Sequence, residues 1–575
     1  MLDESRAFLK AWGAAKRSTV KIGDLLVQKS LITKEQLDEA LKQSQRGGEI
    51  IGKTLVRLNM ITEEKLLEVL AQQLCLPYYS NFKDIPITPE LIKKVPAKFV
   101  LHYKFMPLSI KDNKLTIAVS DPLAIWLIED LKLHLGYNVE RVLAPEDQIM
   151  ESIRIYYGIG ADTVEEIMTQ EPKEGGVKKA PREEIEELEK TAQNASVIKL
   201  VNQILSESVG ARATDIHIEV YRDNVRVRQR IDGILYEMRV PEQIKYLHPA
   251  IVSRIKILSN LNVVERRLPQ DGRAIIKVRD KQVDLRISII PSLYGENVGI
   301  RILPMHLLFN LDDLGLFPEE RQAIESLMKK PHGIILLTGP TGSGKTTTLY
   351  TCLSKLNTED VKIITIEDPI EYELPGITQI QVKPEIGLTF AAALRSILRH
   401  DPDIMMVGEI RDLETAELAI RTALTGHLIF STLHTNDSAS GATRLMDIGI
   451  EPYLVASSVN AFISQRLVRV ICPDCKTEMK NKDALPSYLK NTKVYYGKGC
   501  DSCKSIGYKG RTAIYEIMLV TEKLQELMLQ HASAAQIAKK AKDLGFKTLR
   551  DSGIAKVKMG VTTPEEVLRV TELED

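Results

Sequence analysis

Gly339-Pro340-Thr341-Gly342-Ser343-Gly344-Lys345-Thr346 decides the reading of this chain. It meets the phosphate-loop pattern G-x-x-x-x-G-K-[ST] at every required position. Ile334-Ile335-Leu336-Leu337 before it reads as a buried strand, and Thr347-Thr348-Leu349-Tyr350 after it can open a helix. Glycines let the backbone curl until several N–H groups face one anion, and the helix N-terminus adds positive potential. In that setting Lys345 is expected to reach the outer phosphates and the Thr346 hydroxyl to hold Mg2+. The expected nucleotide-binding stretch is Gly339, Pro340, Thr341, Gly342, Ser343, Gly344, Lys345, Thr346 and Thr347. The plainer alternative is a strand-to-helix turn that binds nothing, and the flanking pattern disfavours it.

Two more apolar runs end in carboxylates. Asp401-Pro402-Asp403-Ile404-Met405-Met406-Val407-Gly408-Glu409 has the form of a Walker B strand, adjacent or next-but-one to the phosphate-loop strand, with Glu409 near Mg2+. Ile363-Ile364-Thr365-Ile366-Glu367-Asp368-Pro369-Ile370-Glu371 is the other. Ligands bind at strand ends in α/β sheets, so a carboxylate there can orient or deprotonate a water. Glu371 is the expected catalytic group; Glu367 or Asp368 is expected to be partly structural. His427 and His434 flank the apolar run Leu428–Leu433. A lone histidine is more often structural than catalytic, but two beside one strand of a nucleotide domain make candidate γ-phosphate sensors.

A chain of 575 residues exceeds one core, so three or four domains are expected. Lys+Arg and Asp+Glu are both 77, which argues against a nucleic-acid protein. No apolar run reaches membrane-span length, and the acidic start Met1-Leu2-Asp3-Glu4 is unlike a secretory leader. The reading is therefore cytoplasmic, with any membrane role through a partner. Cys75 and Cys352 stand alone and read as buried thiols. Cys472-Pro473-Asp474-Cys475 and Cys500-Asp501-Ser502-Cys503 form two Cys-x-x-Cys knuckles, the pattern of a closed four-thiolate zinc site. Such a site is structural rather than catalytic.

The chain reads as an α/β multidomain protein. Its N-terminal part repeats itself: IGDLLVQKSLITKEQLDEAL (22–41) and IGKTLVRLNMITEEKLLEVL (51–70) agree at ten of twenty positions, which implies one helical unit used twice. Each copy predicts a short helix, a turn and a helix opened by Thr33 or Thr62. An α/β unit follows, closing near Tyr157, so the first domain is 1–157. Residues 158–194 read as a charged, breaker-rich tether, with a charged helix over Glu183–Lys190. Residues 195–305 alternate like half-buried strands around one helical stretch. Residues 306–575 alternate strands and helices around the phosphate loop, implying a mainly parallel sheet, with a zinc subdomain at 470–510. Phe8, Leu9 and Trp12 beside Lys10, Lys16 and Arg17 are a candidate docking helix, with a frayed terminus as the plainer alternative.

These motifs together resemble the secretion ATPases of the type II secretion and type IV pilus superfamily, over nearly the whole chain. Asp215-Ile216-His217-Ile218-Glu219, Arg266-Arg267-Leu268-Pro269-Gln270-Asp271-Gly272-Arg273, Glu367–Glu371, Glu409-Ile410-Arg411-Asp412 and the His427/His434 pair each resemble a family box. The resemblance implies a PAS-like α/β domain before a RecA-like ATPase core, and a homohexameric ring beneath the inner membrane. It implies ATP hydrolysis in a cleft between two lobes, driving a membrane platform protein, with a further cytoplasmic ring partner. It gives Glu371 and Glu409 the catalytic-glutamate and Walker B roles. Arg395, Arg399, Arg226, Arg230, Arg273 and Arg286 match phosphate-facing arginines; inter-lobe salt bridging is the alternative for each. The zinc knuckles and the long N-terminal region are similar to assembly rather than retraction ATPases. The repeat resembles a domain that in some members binds cyclic di-GMP and in others docks to the machine; here Ser30 and Asn59 replace its glycines.

Overall fold

The computed structural model describes the chain apart from residues 1–20, 48–49, 83–84, 123–124, 162, 165–194, 279–280, 305–309, 481–485, 491 and 572–575. The candidate docking helix, most of the expected tether and the helix expected over 183–190 lie outside the described residues. Two compact units divide the chain, Met1–Pro304 and Met305–Asp575.

The first unit opens with the repeat. Helices Ile22–Gln28 and Lys34–Gly47 form one copy, Ile51–Arg57 and Glu63–Leu74 the other. Both short helices end identically. Ser30 and Asn59 carry φ of 56° and 55°, and the bonds Ser30 N–H to Val27 O and Asn59 N–H to Val56 O are both 2.9 Å. A left-handed residue stops each helix, and Asn tolerates that conformation better than Ser. Thr33 caps its helix as expected, since its hydroxyl accepts the Gln36 N–H at 3.2 Å; Thr62 makes no side-chain cap.

Strands β1 (Met106–Lys111), β2 (Lys114–Val119) and β3 (Asn138–Leu143) follow as a small sheet. Helix Glu146–Tyr157 closes this part. Cys75, expected to be buried, is half-exposed: it ends the helix before it in a left-handed conformation at the surface of this part. The start of the expected tether is also packed. Ile159 N–H donates to Arg239 O at 3.0 Å, and Ala161 and Val164 are buried.

The remainder of the unit is a six-stranded antiparallel sheet. Its strands are β4 (Ala213–Val220), β5 (Val225–Ile231), β6 (Ile234–Met238), β7 (Gln270–Val278), β8 (Lys281–Ser292) and β9 (Gly295–Pro304), in the order β6-β5-β4-β9-β8-β7. Alternation in β4 and β5 buries Ile216, Ile218, Val225 and Val227 and turns the charged residues to the other face.

The second unit is built on a seven-stranded sheet. Its strands are β10 (Gly333–Thr338), β11 (Ile363–Glu367), β12 (Thr378–Gln381), β13 (Ile404–Val407), β14 (Leu428–Leu433), β15 (Val459–Ile471) and, after the knuckle hairpin β16 (Lys476–Glu478) and β17 (Tyr495–Gly497), β18 (Tyr508–Leu519). The order is β12-β11-β13-β14-β10-β15-β18, all parallel except the β15–β18 pair. Strands β10, β11, β13 and β14 are buried along their whole length, because helices cover both faces. Alternate residues enter two cores: Ile334, Leu336, Ile364, Met405 and Ile429 one, Ile335, Leu337, Ile363, Met406 and Phe430 the other. The Walker B strand β13 is next-but-one to β10, with β14 between them.

Candidate active site and metal centre

In a parallel sheet every strand delivers its following loop to one edge. Thr338, the end of β10, is level with Leu433 of β14 and Ser464 of β15. That edge gathers the phosphate loop, Glu409 after β13, His434 after β14 and the Glu367–Glu371 segment after β11.

The phosphate loop needs its glycines. Gly339 and Gly344 have φ of 143° and 91°. A Cβ on Gly339 would meet Gln465 O at 2.7 Å, and one on Gly344 would meet Gln465 Nε2 at 2.7 Å. Arg466 braces the loop from behind, its guanidinium donating to Asn436 O at 2.7 Å and Gln465 O at 3.1 Å. Helix Lys345–Leu356 starts at the loop, with Thr346 and Thr347 exposed on its first turn. Lys345 is buried and folds back on the loop, its ammonium donating to Gly339 O at 2.6 Å and Pro340 O at 3.1 Å. Burial, then the charge of Arg466, lowers this lysine to about 8, against an upward pull from Glu409. The buried Ser343 hydroxyl makes no hydrogen bond among the described residues. A curled backbone with a buried ammonium and an orphaned hydroxyl at a helix start fits a polyphosphate with its Mg2+.

Glu409 sits between a guanidinium and an imidazole. One carboxylate oxygen lies 2.7 Å from the Arg411 guanidinium, the other 3.0 Å from His434 Nε2. Glu371 is half-buried, and its N–H donates to the Tyr350 hydroxyl at 3.3 Å. Glu367 is buried with three donors upon it: Tyr350 O–H, Thr365 O–H at 2.5 Å and Gln379 N–H at 3.0 Å. Its oxygens are engaged inside the fold, so Glu367 holds structure.

One expectation is corrected. His427 precedes β14, and its carbonyl accepts the N–H of Gly333 at the start of β10. The six residues of β14 separate it from His434, about 20 Å of strand. His427 stands at the sheet edge away from the phosphate loop, where its Nδ1 lies 3.0 Å from Thr422 O. The two histidines flank one strand but do not share one site.

The arginines fall into two groups. In the second unit Arg395 pairs with Glu414, and Arg399 donates to Arg395 O at 3.0 Å, both exposed. In the first unit register aligns Arg273 with Arg286, Arg286 with Arg301, Arg301 with Asp215 and Asp215 with Arg230. Directly paired residues share a face, so four arginines form one row across five strands. Asp215 accepts from Arg301 at 3.0 Å, and Asp284 from Arg273 at 2.8 Å. The row itself carries four guanidinium groups and one carboxylate, so it is positive. Arg226 points to the same face farther along β5, over the Tyr221 ring at 5.5 Å. Arg301 escaped the sequence reading because only strand register brings it into the row. Lys256 escaped as well: it is buried, its ammonium 2.6 Å from both Glu296 and Glu265 O, and it anchors the turn that carries Arg266 and Arg267.

The four knuckle cysteines come together. All four Sγ atoms lie within 4.8 Å of one another, with Cys472–Cys500 at 3.8 Å, Cys475–Cys503 at 3.9 Å and Cys500–Cys503 at 3.7 Å. A tetrahedral zinc with bonds of about 2.3 Å sets S–S edges of about 3.8 Å. Backbone N–H groups of Cys500 and Gly507 each point at Cys503 Sγ from 3.2 Å, the support a thiolate requires. The residues fit the ion.

Residues 190–569 match the family model described as type II/IV secretion system protein, and residues 76–163 match the MshEN domain. The type IV pilus assembly ATPase PilB of Myxococcus xanthus is 44% identical over 95% of this chain and 98% of its own length. The type II secretion system protein E of Xanthomonas campestris is 41% identical over 84% of this chain and 86% of its own. Among solved structures, the pilus retraction motor PilT with bound ADP is 26% identical, covering 64% of this chain and 96% of that one, with a TM-score of 0.43.

Proposed function

Since this chain belongs to the type II/IV secretion system family and is an ATP-hydrolysing enzyme, we propose that it is the hexameric motor that powers type IV pilus assembly. It works from the cytoplasmic face of the inner membrane through a platform protein. No helix of the described residues is long and apolar enough to cross a membrane, so this reading makes the attachment indirect. The observation that carries the reading is the convergence of Lys345, Glu409 with His434, and the Glu371 loop on one sheet edge, in a chain whose pilus-assembly relative it matches over 95% of its length. Similarity to the type II secretion protein, 41% identical over 84% of the chain, supports the same motor driving protein secretion as the second reading. Deleting the gene separates them: loss of surface filaments with normal exoprotein release supports the first, and the reverse supports the second.

In the proposed cycle the phosphate loop holds ATP, Thr346 and Glu409 hold Mg2+, and Glu371 orients the attacking water. Arg395 and Arg399, in the same unit as the phosphate loop, supply positive charge to the transferring phosphoryl group. Zinc, when bound by Cys472, Cys475, Cys500 and Cys503, ties the two knuckles together. At the N-terminal repeat, docking to the machine is favoured over cyclic di-GMP. Ser30 and Asn59 hold the left-handed positions where the resembling domain has glycine, and a Cβ on Gly23 or Gly52 would meet only the flexible ends of Leu37 at 2.6 Å and Leu66 at 3.1 Å. Calorimetric titration with cyclic di-GMP tests this; saturable binding would reverse the preference.

A further inference from the structure

We propose that Tyr350 is a positioning residue for Glu371, tying the helix that begins at the phosphate loop to the loop that carries the carboxylate. The inference rests on the reading of Glu371 as the catalytic glutamate.

Tyr350 lies within helix Lys345–Leu356, less than two turns from Lys345, and is fully buried. Its O–H donates to Glu367, the last residue of β11. Because the proton is spent there, the oxygen's lone pairs face the other way, and one accepts the Glu371 N–H at 3.3 Å. Burial and the neighbouring Glu367 push this phenol upward, so it keeps its proton. Thr365 and Gln379 complete the shell around Glu367, which fixes the carboxylate that aims Tyr350.

Gln379 does the same from the far side. Its amide N–H also donates to Tyr372 O at 3.0 Å, and its carbonyl accepts the Leu374 N–H at 2.7 Å. The Tyr372 ring meets the Tyr350 ring edge-on, centroids 6.3 Å apart. The segment from Asp368 to Leu374 is thus pinned at Glu371, Tyr372 and Leu374 by two side chains organised around one buried carboxylate. One pin stands on the helix that also presents Lys345 and Thr346. The spacing between phosphate anchor and carboxylate is set by a helix and a single hydroxyl, and a small error in such spacing is costly in rate.

The test compares the full-length protein with Tyr350→Phe, Gln379→Ala and, as reference, Glu371→Gln. Tyr350→Phe removes one oxygen and keeps the ring. Its kcat should fall about ten- to a hundredfold with the ATP KM within about twofold of wild type. Hydrogen–deuterium exchange should accelerate in the 368–374 peptide and stay unchanged in the phosphate loop. Gln379→Ala should reproduce both effects, and it decides alone if Tyr350→Phe does not fold. An unaltered kcat or unaltered exchange in the folded variants overturns the positioning role, as does a raised KM with kcat unchanged. Normal turnover by Glu371→Gln instead overturns the underlying reading of the glutamate, and the inference with it.

Discussion

His434 Nε2 and a carboxylate oxygen of Glu409 lie 3.0 Å apart, joined across the ends of two neighbouring strands. The ring is half-exposed and the carboxylate nearly buried, so the histidine is the side of the pair open to a ligand. Removing it frees Glu409 to turn toward Arg411, its other partner at 2.7 Å. His434→Ala should therefore keep ATP affinity and lose about tenfold or more in kcat, the worth of one oriented hydrogen bond of about 1–2 kcal/mol. His427→Ala, at the other sheet edge, should cost much less in an ATPase assay. Equal losses for the two variants would contradict the separation of the histidines.

Lys345 should make nucleotide binding depend on pH. Its amino group sits at about 8 through burial and the nearby Arg466, well below the ordinary lysine value. Phosphate binding requires the ammonium form, so a non-hydrolysed ATP analogue should bind evenly below pH 8. Above it, affinity should fall toward about tenfold per pH unit. Lys345→Arg should flatten that limb, because a guanidinium does not titrate there. The depressed value also means that the charged amine costs stability at low pH without nucleotide, so that this contribution improves as pH rises through 8. Isothermal titrations at pH 7 and 9.5 are sufficient; identical wild-type affinities would contradict the assignment.

The knuckle thiols should be loaded. Metal analysis of chelator-free protein should return about one zinc per chain. Cys503→Ser should lower that figure to near zero, since Cys503 carries two backbone N–H bonds as well as its share of the cluster. The melting temperature should fall, and proteolysis should begin between 472 and 507. Metal-free wild-type protein with the same melting curve would remove the zinc proposal.

Glu566 gives the second unit an acid-sensitive clasp. It is buried, and burial alone would raise its carboxyl. The Arg569 and Arg469 guanidinium groups, at 2.9 and 2.6 Å, outweigh that and bring it down to about 2. The folded value lies below the unfolded one, so the stabilisation is complete above about pH 4.5 and disappears as pH falls toward 2. On the order of 2–3 kcal/mol should be lost across that window, and Glu566→Gln should remove most of the slope. Denaturant melts at pH 5 and pH 3 for both proteins measure it.

The phosphate loop and the strands ending in Glu409 and Glu371 were legible because their chemistry is local: a motif, an apolar run and a carboxylate lie within a few residues. The knuckles were legible for the same reason. Strand β15 was not, because nine of the thirteen residues of Val459–Ile471 are buried, six of them in one run from Ala461 to Arg466, which leaves no alternation to read. Its partner β18 escaped too, although the two strands form the longest ladder of the unit. The Tyr350–Glu367–Gln379 cluster depends on β11 and β12 lying side by side beneath the phosphate-loop helix, a fact of strand order that no sequence window contains. His427 was misread because closeness in sequence across a strand means distance in space. Cys75 was misread because an apolar neighbourhood hid a helix end.

Strand β15 has a mechanical meaning. It pairs with the phosphate-loop strand at Ser464 and continues to Ile471, one residue before the first knuckle cysteine, with one irregularity in its pairing to β18 between Arg469 and Ile471; its thirteen residues span about 40 Å. The antiparallel return of β18 stiffens it from Arg469 back to Ala461. The cysteine cluster is therefore an outrigger on a beam rather than a pendant on a hinge. The cysteine cluster and the phosphate loop thus lean on one strand, the first just past its end at Ile471 and the second beside Gln465 within it.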